Sequence, residues 1–253
     1  MRIFLKTEDE IILLRAASQL ATRALIEVGR HVVPRLALSH LRNKVVNAVM
    51  RTVPTESNSG KEALSSDTEF TFFVNGAYVE PSLEGECMLC EGDCLTVNCW
   101  VCLDGYYSFG AHTFIVGSSQ DDEPMTSTLI DMLRQVVRRA SAGHSIKEMS
   151  RTVYSLHSHD PYVLQKTFGH GVGRNRVENP ILRMNPGVND AVLLKEGMCL
   201  VIALAFKHGR SHLIKPRLMH ESTFHNPFVP FGTTVVVRPG RPEILTSFET
   251  IVK

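Results

Sequence analysis

Between Ile11 and Val28 the apolar residues Ile11, Leu14, Ala17, Ala21, Ala24, Leu25 and Val28 recur every three or four positions, the interval that gathers side chains on one face of an α-helix. Just before them, Thr7 and Glu10 form a T-x-x-E pair, in which each side chain satisfies a backbone N–H at the start of a helix. A long first helix is therefore expected, with a second from about Ser39 to Met50. The stretch TESNSGKEALSSD, Thr55 to Asp67, is polar and rich in Ser and Gly and reads as a loop. From Phe70 the texture becomes β-like. The segments CLTVNCWVC and YYSFGAHTFIVG flank Leu103-Asp104-Gly105, and an Asp-Gly dipeptide between two such runs predicts a tight hairpin.

The second half repeats this order. After the linker SSQDDEP, a helix is predicted from near Thr126 through LIDMLRQVVRRA to a stop at Gly143, and Ser145 can cap another through Tyr154. Strands are expected at VLQKTFG, MCLVIALAF, HLIKPRL, TTVVVRP and EILT. Helix, helix, strands, twice over, implies two similar halves meeting near residue 120. The repeat lies in the order of elements and not in residue identity.

Composition narrows the function classes only slightly. The 253 residues suit one large domain or two small ones and can bury a core without cross-links. With 27 basic and 26 acidic side chains the net charge is +1, so a polyanionic partner would have to be met by a local patch. No run of about 18 apolar residues is present, and no membrane span is expected. The opening MRIFLKTEDE lacks an apolar signal core, and its acids argue against an Arg-rich transit peptide. An intracellular, reducing compartment is expected, with the cysteines as thiols.

Five of the six cysteines crowd into CMLCEGDCLTVNCWVC, which contains two C-x-x-C pairs. A zinc ribbon places each pair on a tight knuckle, usually a dozen or more residues from the other. Here Cys99 and Cys102 lie in a strand pattern, where an odd separation sends side chains to opposite faces. Neither pair opens a helix that would lower a thiol pKa for redox work. Small buried hydrophobes are the better reading.

The same strand, taken with FGHGVGRNRVENP and LLKEGMCLVIALAF, resembles the methionine aminopeptidase family. The resemblance covers nearly the whole chain: I-x-L-K-T-E-D-E-I, C-L-T-V-N-x-x-V, the D-G-Y hairpin ending in F-I-V-G, G-H-G-V-G-R, K-E-G-M and E-I-L-T fall in the family's order. It implies an α+β pita-bread (creatinase/aminopeptidase-like) fold of the short bacterial or organellar type. One domain would span 1–253, with pseudo-symmetric αβ halves of about 1–117 and 124–253 around a central antiparallel sheet.

It also implies where a dinuclear metal site would lie. The family's pair of divalent ions takes two Asp, one His and two Glu, hard ligands that neutralise paired cations and leave room for a hydroxide. Carried over, the two aspartates fall on Trp100 and Phe109, the histidine on His170, and the two glutamates on Ala203 and Gly232. The two substrate-contacting histidines fall on Glu80 and Val177. Only His170 keeps the family's residue. Trp100 and Phe109 are expected to turn a cavity into packed apolar interior, since carboxylates without their metal would be costly to bury.

Asn98 and Cys102 share the strand face of Trp100, and Glu80, His112 and Ser108 could lie near them as a rebuilt mononuclear site, although no ligand spacing supports it. His157-Ser158-His159-Asp160 reads as a loop before Pro161 and not as a metal clip. No nucleophile elbow is present.

A local basic segment, KHGRSHLIKPRLMH, holds Lys207, Arg210, Lys215 and Arg217 without an acid, and Arg174 and Arg176 stand beside the aligned site. These are candidate contacts to RNA or a protein partner, against the alternative of a solvated face. The resemblance thus implies a catalytically inactive, cofactor-free binding protein. Related pita-bread pseudoenzymes include ribosome-associated factors and the large subunit of a histone chaperone. The expected role is a ribosome-associated or ribosome-assembly factor, in mitochondrion or cytoplasm, with ribosomal RNA, ribosomal proteins or other assembly factors as partners, and neither a membrane nor a small-molecule substrate. Rivals are a non-cleaving reader of peptide N-termini, a histone-chaperone-like module, and an enzyme with relocated chemistry.

Overall fold

A computed structural model of the chain describes residues 2–53, 67–117, 124–159, 167–184, 192–207, 228–247 and 251. The first helix, α1, is Glu8–His31, and its start is set as the sequence predicts: the Thr7 side chain accepts from the Glu10 backbone N–H while the Glu10 carboxylate accepts from Thr7 N–H. Its predicted apolar face, Ile11 to Val28, is buried throughout. Helix α2 is Leu38–Thr52. Four strands follow, β1 (Glu69–Val74), β2 (Ala77–Tyr78), β3 (Cys94–Leu103) and β4 (Tyr106–Ile115). Asp104 and Gly105 take positive φ of 49° and 75° between β3 and β4, the mirror-image turn that suits a two-residue hairpin.

The second half contributes α3 (Pro124–Val137), α4 (Ile146–His159), β5 (Thr167–Gly171), β6 (Glu178–Arg183), β7 (Cys199–Lys207), β8 (Phe228–Val236) and the short β9 (Glu243–Ile244). Three expectations change. Helix α4 runs past Tyr154 to His159, so His157 and His159 lie on helical backbone and not in a loop. The segment ENPILR, not foreseen as a strand, forms β6. Strand β8 starts at Phe228, ahead of the TTVVVRP pattern. The predicted strand HLIKPRL, and with it Arg210, Lys215 and Arg217, lies outside the described residues.

All strands join one antiparallel sheet in the order β2-β1-β3-β4-β8-β7-β5-β6, with β9 on β8. The order is symmetric about the β4/β8 seam, four strands from each half on either side. This is the two-halved α+β pita-bread arrangement. Each half has its own apolar core: α1 and α2 pack on β1 and β3, and α3 and α4 pack on β5 to β8. A third cluster, which includes Tyr106, Phe109, Val172 and Val201, joins the halves. No helix among the described residues is long and apolar enough to cross a membrane.

Strand register fixes which residues face the seam. Trp100 lies opposite Phe109, Asn98 opposite Ala111, and Cys102 opposite Tyr107, all on one face because directly paired residues share a face. Cys99 points to the other face, into the core under α1 and α2. The cysteines are all thiols, and burial pushes the Cys99 thiol far up from its ordinary pKa, as an inert structural cysteine requires.

Candidate functional site

The five positions onto which the resemblance carries metal ligands converge on one face of the sheet at the seam between halves. Trp100 and Phe109 are cross-strand neighbours with ring centroids 4.8 Å apart. Ala203 on β7 pairs with Gly232 on β8, and Gly232 also pairs with Ala111 on β4. His170 on β5 pairs with Val201, two residues from Ala203 on the same face, and its ring stacks parallel to Trp100 at 6.1 Å. Ligand positions far apart in the chain are thus brought together by the sheet. Glu80 and Val177 are both exposed, and neither belongs to this packed group.

Phe109 occupies the centre. It is 7% exposed, and a Cβ built on Gly232 would lie 2.6 Å from its Cε1 and 3.1 Å from the Ala203 methyl. The ring therefore fills the space that a side chain at 232 would need. Its backbone is held as firmly: Phe109 N–H donates to Thr234 Oγ1, and the Thr234 and Thr246 hydroxyls both donate to the Phe109 carbonyl, all at 2.9 Å. The Thr234 bonds join β4 to β8, where the ladder itself supplies only the Ala111 and Gly232 pair, and the Thr246 bond ties β4 to the segment after β9. Trp100 is less enclosed than the sequence suggests; it is half-buried. Phe109 is the plug, and Trp100 forms a wall that partly faces solvent.

His170 Nδ1 lies 2.8 Å from the Gly171 carbonyl, so Nδ1 carries the proton in the neutral ring and Nε2 keeps its lone pair. Burial lowers its pKa from 6.5, against the opposing pull of that carbonyl. The arrangement of Asn98, Cys102, His112 and Ser108 imagined as a mononuclear site is not built. Ser108 pairs with Val101 and His112 with Val97, which places both on the face opposite Trp100. Ser108 shares a 2.6 Å hydrogen bond with Ser18 of α1, and His112 packs between the Phe114 and Phe231 rings at 4.6 Å from each.

The two arginines at the mouth do not form a free basic patch. Arg174 lies over the Tyr106 ring at 4.7 Å, with its Nε 4.0 Å from Glu10. Arg176 Nη1 donates to Glu69 Oε2 at 2.8 Å and Nη2 to the Asp67 carbonyl at 2.5 Å, while its guanidinium sits 5.8 Å from the Trp100 ring and 5.7 Å from Tyr107. Tyr107 OH donates to Asp67 Oδ2 at 2.6 Å, a bond that, with burial, pushes the phenol up to about 12. The Arg176 hydrogen bond holds the Glu69 carboxyl below its usual range. Sequence reasoning missed this corner because it joins residues more than a hundred positions apart that share no motif.

Comparison with known proteins agrees with this fold. Residues 12–238 match metallopeptidase family M24. The chain belongs to that family. It is 28% identical to the methionine aminopeptidase of Helicobacter pylori over 225 residues, covering 85% of this chain and 87% of that one. The solved methionine aminopeptidase of Thermotoga maritima superposes with a TM-score of 0.76 at 21% identity, over 97% of this chain and all (100%) of that one. The N-terminal domain of the FACT complex subunit SPT16 from chickpea gives 0.71 at 17% identity, over 98% of this chain and 60% of that one. At such identities the structural likenesses establish the fold.

The metal pair that the family resemblance implies does not fit the residues present. Of the five converging side chains only the His170 imidazole can donate to a metal ion; indole, phenyl, methyl and hydrogen cannot. The phenyl ring of Phe109 fills the space beside Gly232. Among the described residues, no group of three or more His, Cys, Asp or Glu is placed to hold an ion.

Proposed function

We propose that this member of the M24 family is catalytically inactive and works by binding. One observation supports the reading: Trp100, Phe109, His170, Ala203 and Gly232, onto which the resemblance carries the metal ligands, meet at the seam with an aromatic ring filling the space. A hydroxide nucleophile needs a Lewis acid to form at neutral pH, and one imidazole cannot hold a pair of them. Protein purified without chelator is therefore expected to carry no stoichiometric cobalt, manganese, iron or zinc and to release no methionine from Met-Ala-Ser. Two ions bound per chain, or methionine released, overturns the proposal.

The partner class we propose is ribosomal: ribosomal RNA, ribosomal proteins or other assembly factors, in mitochondrion or cytoplasm. The supporting feature is the acid-free segment with Lys207, Arg210, Lys215 and Arg217. Arg174 and Arg176 are left out of this surface because each faces a carboxylate. Four cations releasing counterions from RNA give a slope of log affinity against log salt of roughly −3 to −4. Replacing the four by Ser should flatten that slope and leave the melting temperature nearly unchanged. Retention of the same partners at unchanged salt resistance removes RNA from the proposal.

A further inference from the structure

The corner around Arg176 has the composition of a receptor for a guanidinium group. The Glu69 carboxylate and the Asp67 main-chain carbonyl accept from two different guanidinium nitrogens, at 2.8 and 2.5 Å. The Trp100 and Tyr107 rings lie at 5.8 and 5.7 Å, within range of cation–π attraction. The receptor is braced without Arg176. Glu69 is held opposite Trp100 by the β1/β3 ladder, Tyr107 OH donates to Asp67, and the Trp100 ring is backed by His170 and Phe109. The occupant, by contrast, is tied in at one end only. Arg176 stands in the loop between β5 and β6, its side chain is 35% exposed, and its neighbour Val177 is 58% exposed. A long side chain so placed can swing into water by rotation about its own bonds, leaving the walls where they are.

We infer that this corner is a recognition site for an arginine side chain of a protein partner, held closed by Arg176 acting as an intramolecular occupant. The planar, forked guanidinium matches the two acceptors and the ring faces, where a lysine ammonium would match only the charge. The inference deepens the binding function proposed above and rests on it in taking this face as a surface for partners. It does not require the partner to be ribosomal. Because Arg176 competes with any incoming arginine, apparent affinity falls by the fraction of time the site stands open.

The test uses the full chain and its one tryptophan, Trp100, as the reporter. The probe is Nα-acetyl-arginine methylamide, with Nα-acetyl-lysine methylamide as the comparison. In Arg176→Ala the arginine probe should change Trp100 fluorescence saturably, with roughly millimolar affinity. Wild type should respond at least about tenfold more weakly, the penalty for displacing its own arginine. Arg176→Ala with Glu69→Gln should lose the response, and the lysine probe should fail to reproduce it. If Arg176→Ala melts early, Arg176→Gln keeps the aliphatic stem and carries the same prediction. No saturable response in the opened variants, equal response to lysine, or an undiminished response without the Glu69 carboxylate overturns the inference. Methionine release by wild type would overturn the non-catalytic proposal and leave this result standing, so the two failures are distinguishable.

Discussion

Gly232 and Phe109 are complementary: the ring is where the Gly232 side chain would be. A methyl group at 232 would stand 2.6 Å from Phe109 Cε1, and the ring has little room to yield because it is buried, packed on Trp100, and on a backbone pinned by Thr234 and Thr246. Gly232→Ala should therefore destabilise by about 1–3 kcal/mol through overpacking. In a Phe109→Ala background the same change should cost much less, since the space is then open. A double-mutant cycle by urea denaturation reads the coupling, and additive effects would refute the complementarity. At this scale the sequence was informative about chemistry, because Trp100, Phe109, Ala203 and Gly232 are visibly poor ligands. It was silent about volume, since nothing in the letters says that one residue's ring takes another's place. It also overstated the burial of Trp100, which the structure leaves half-buried.

Elements whose signals are local were legible. The Thr7 and Glu10 capping box and the Asp104-Gly105 turn both form as read, because each involves groups within a few residues of one another. Elements that depend on sheet position were not. Strand β6 carries Pro180, and a proline inside a run argues against a strand unless that strand is at an edge. Strand β6 is the last in the sheet order, a fact of topology that ENPILR cannot announce. The end of α4 was missed for a different reason. No glycine or capping residue marks Tyr154, which is exposed, so the helix continues to His159, just short of the residue before Pro161. The sequence left the faces of His112 and Ser108 open because β4 places them by parity against β3, and a pairing register is a relation between two strands.

Over the whole molecule, the N-terminal segment reaches the second half through one buried ion pair, Lys6 Nζ to Glu178 Oε2 at 2.6 Å, both side chains 5% exposed. Asn175 N–H donates to the other Glu178 oxygen, and Lys6 N–H to the Gly197 carbonyl. Removing one partner leaves a buried charge without its counterpart, so Lys6→Met or Glu178→Gln should cost about 3–5 kcal/mol. Replacing both with apolar residues should cost less than either single change. Thermal or urea unfolding checks the order, and a double variant weaker than both singles would sink it. The sequence by itself determined the family, the two-halved order of elements and the poverty of donors at the positions onto which the resemblance carries metal ligands, because repeat order and side-chain chemistry are written locally. Only the tertiary structure decided that those positions meet around a phenyl ring, that Arg176 and Glu69 neutralise each other, and that Lys6 finds Glu178. The contacts of Phe109 with Gly232, Arg176 with Glu69 and Lys6 with Glu178 join residues far apart in the chain, and no local pattern encodes which distant side chain will fill a given space.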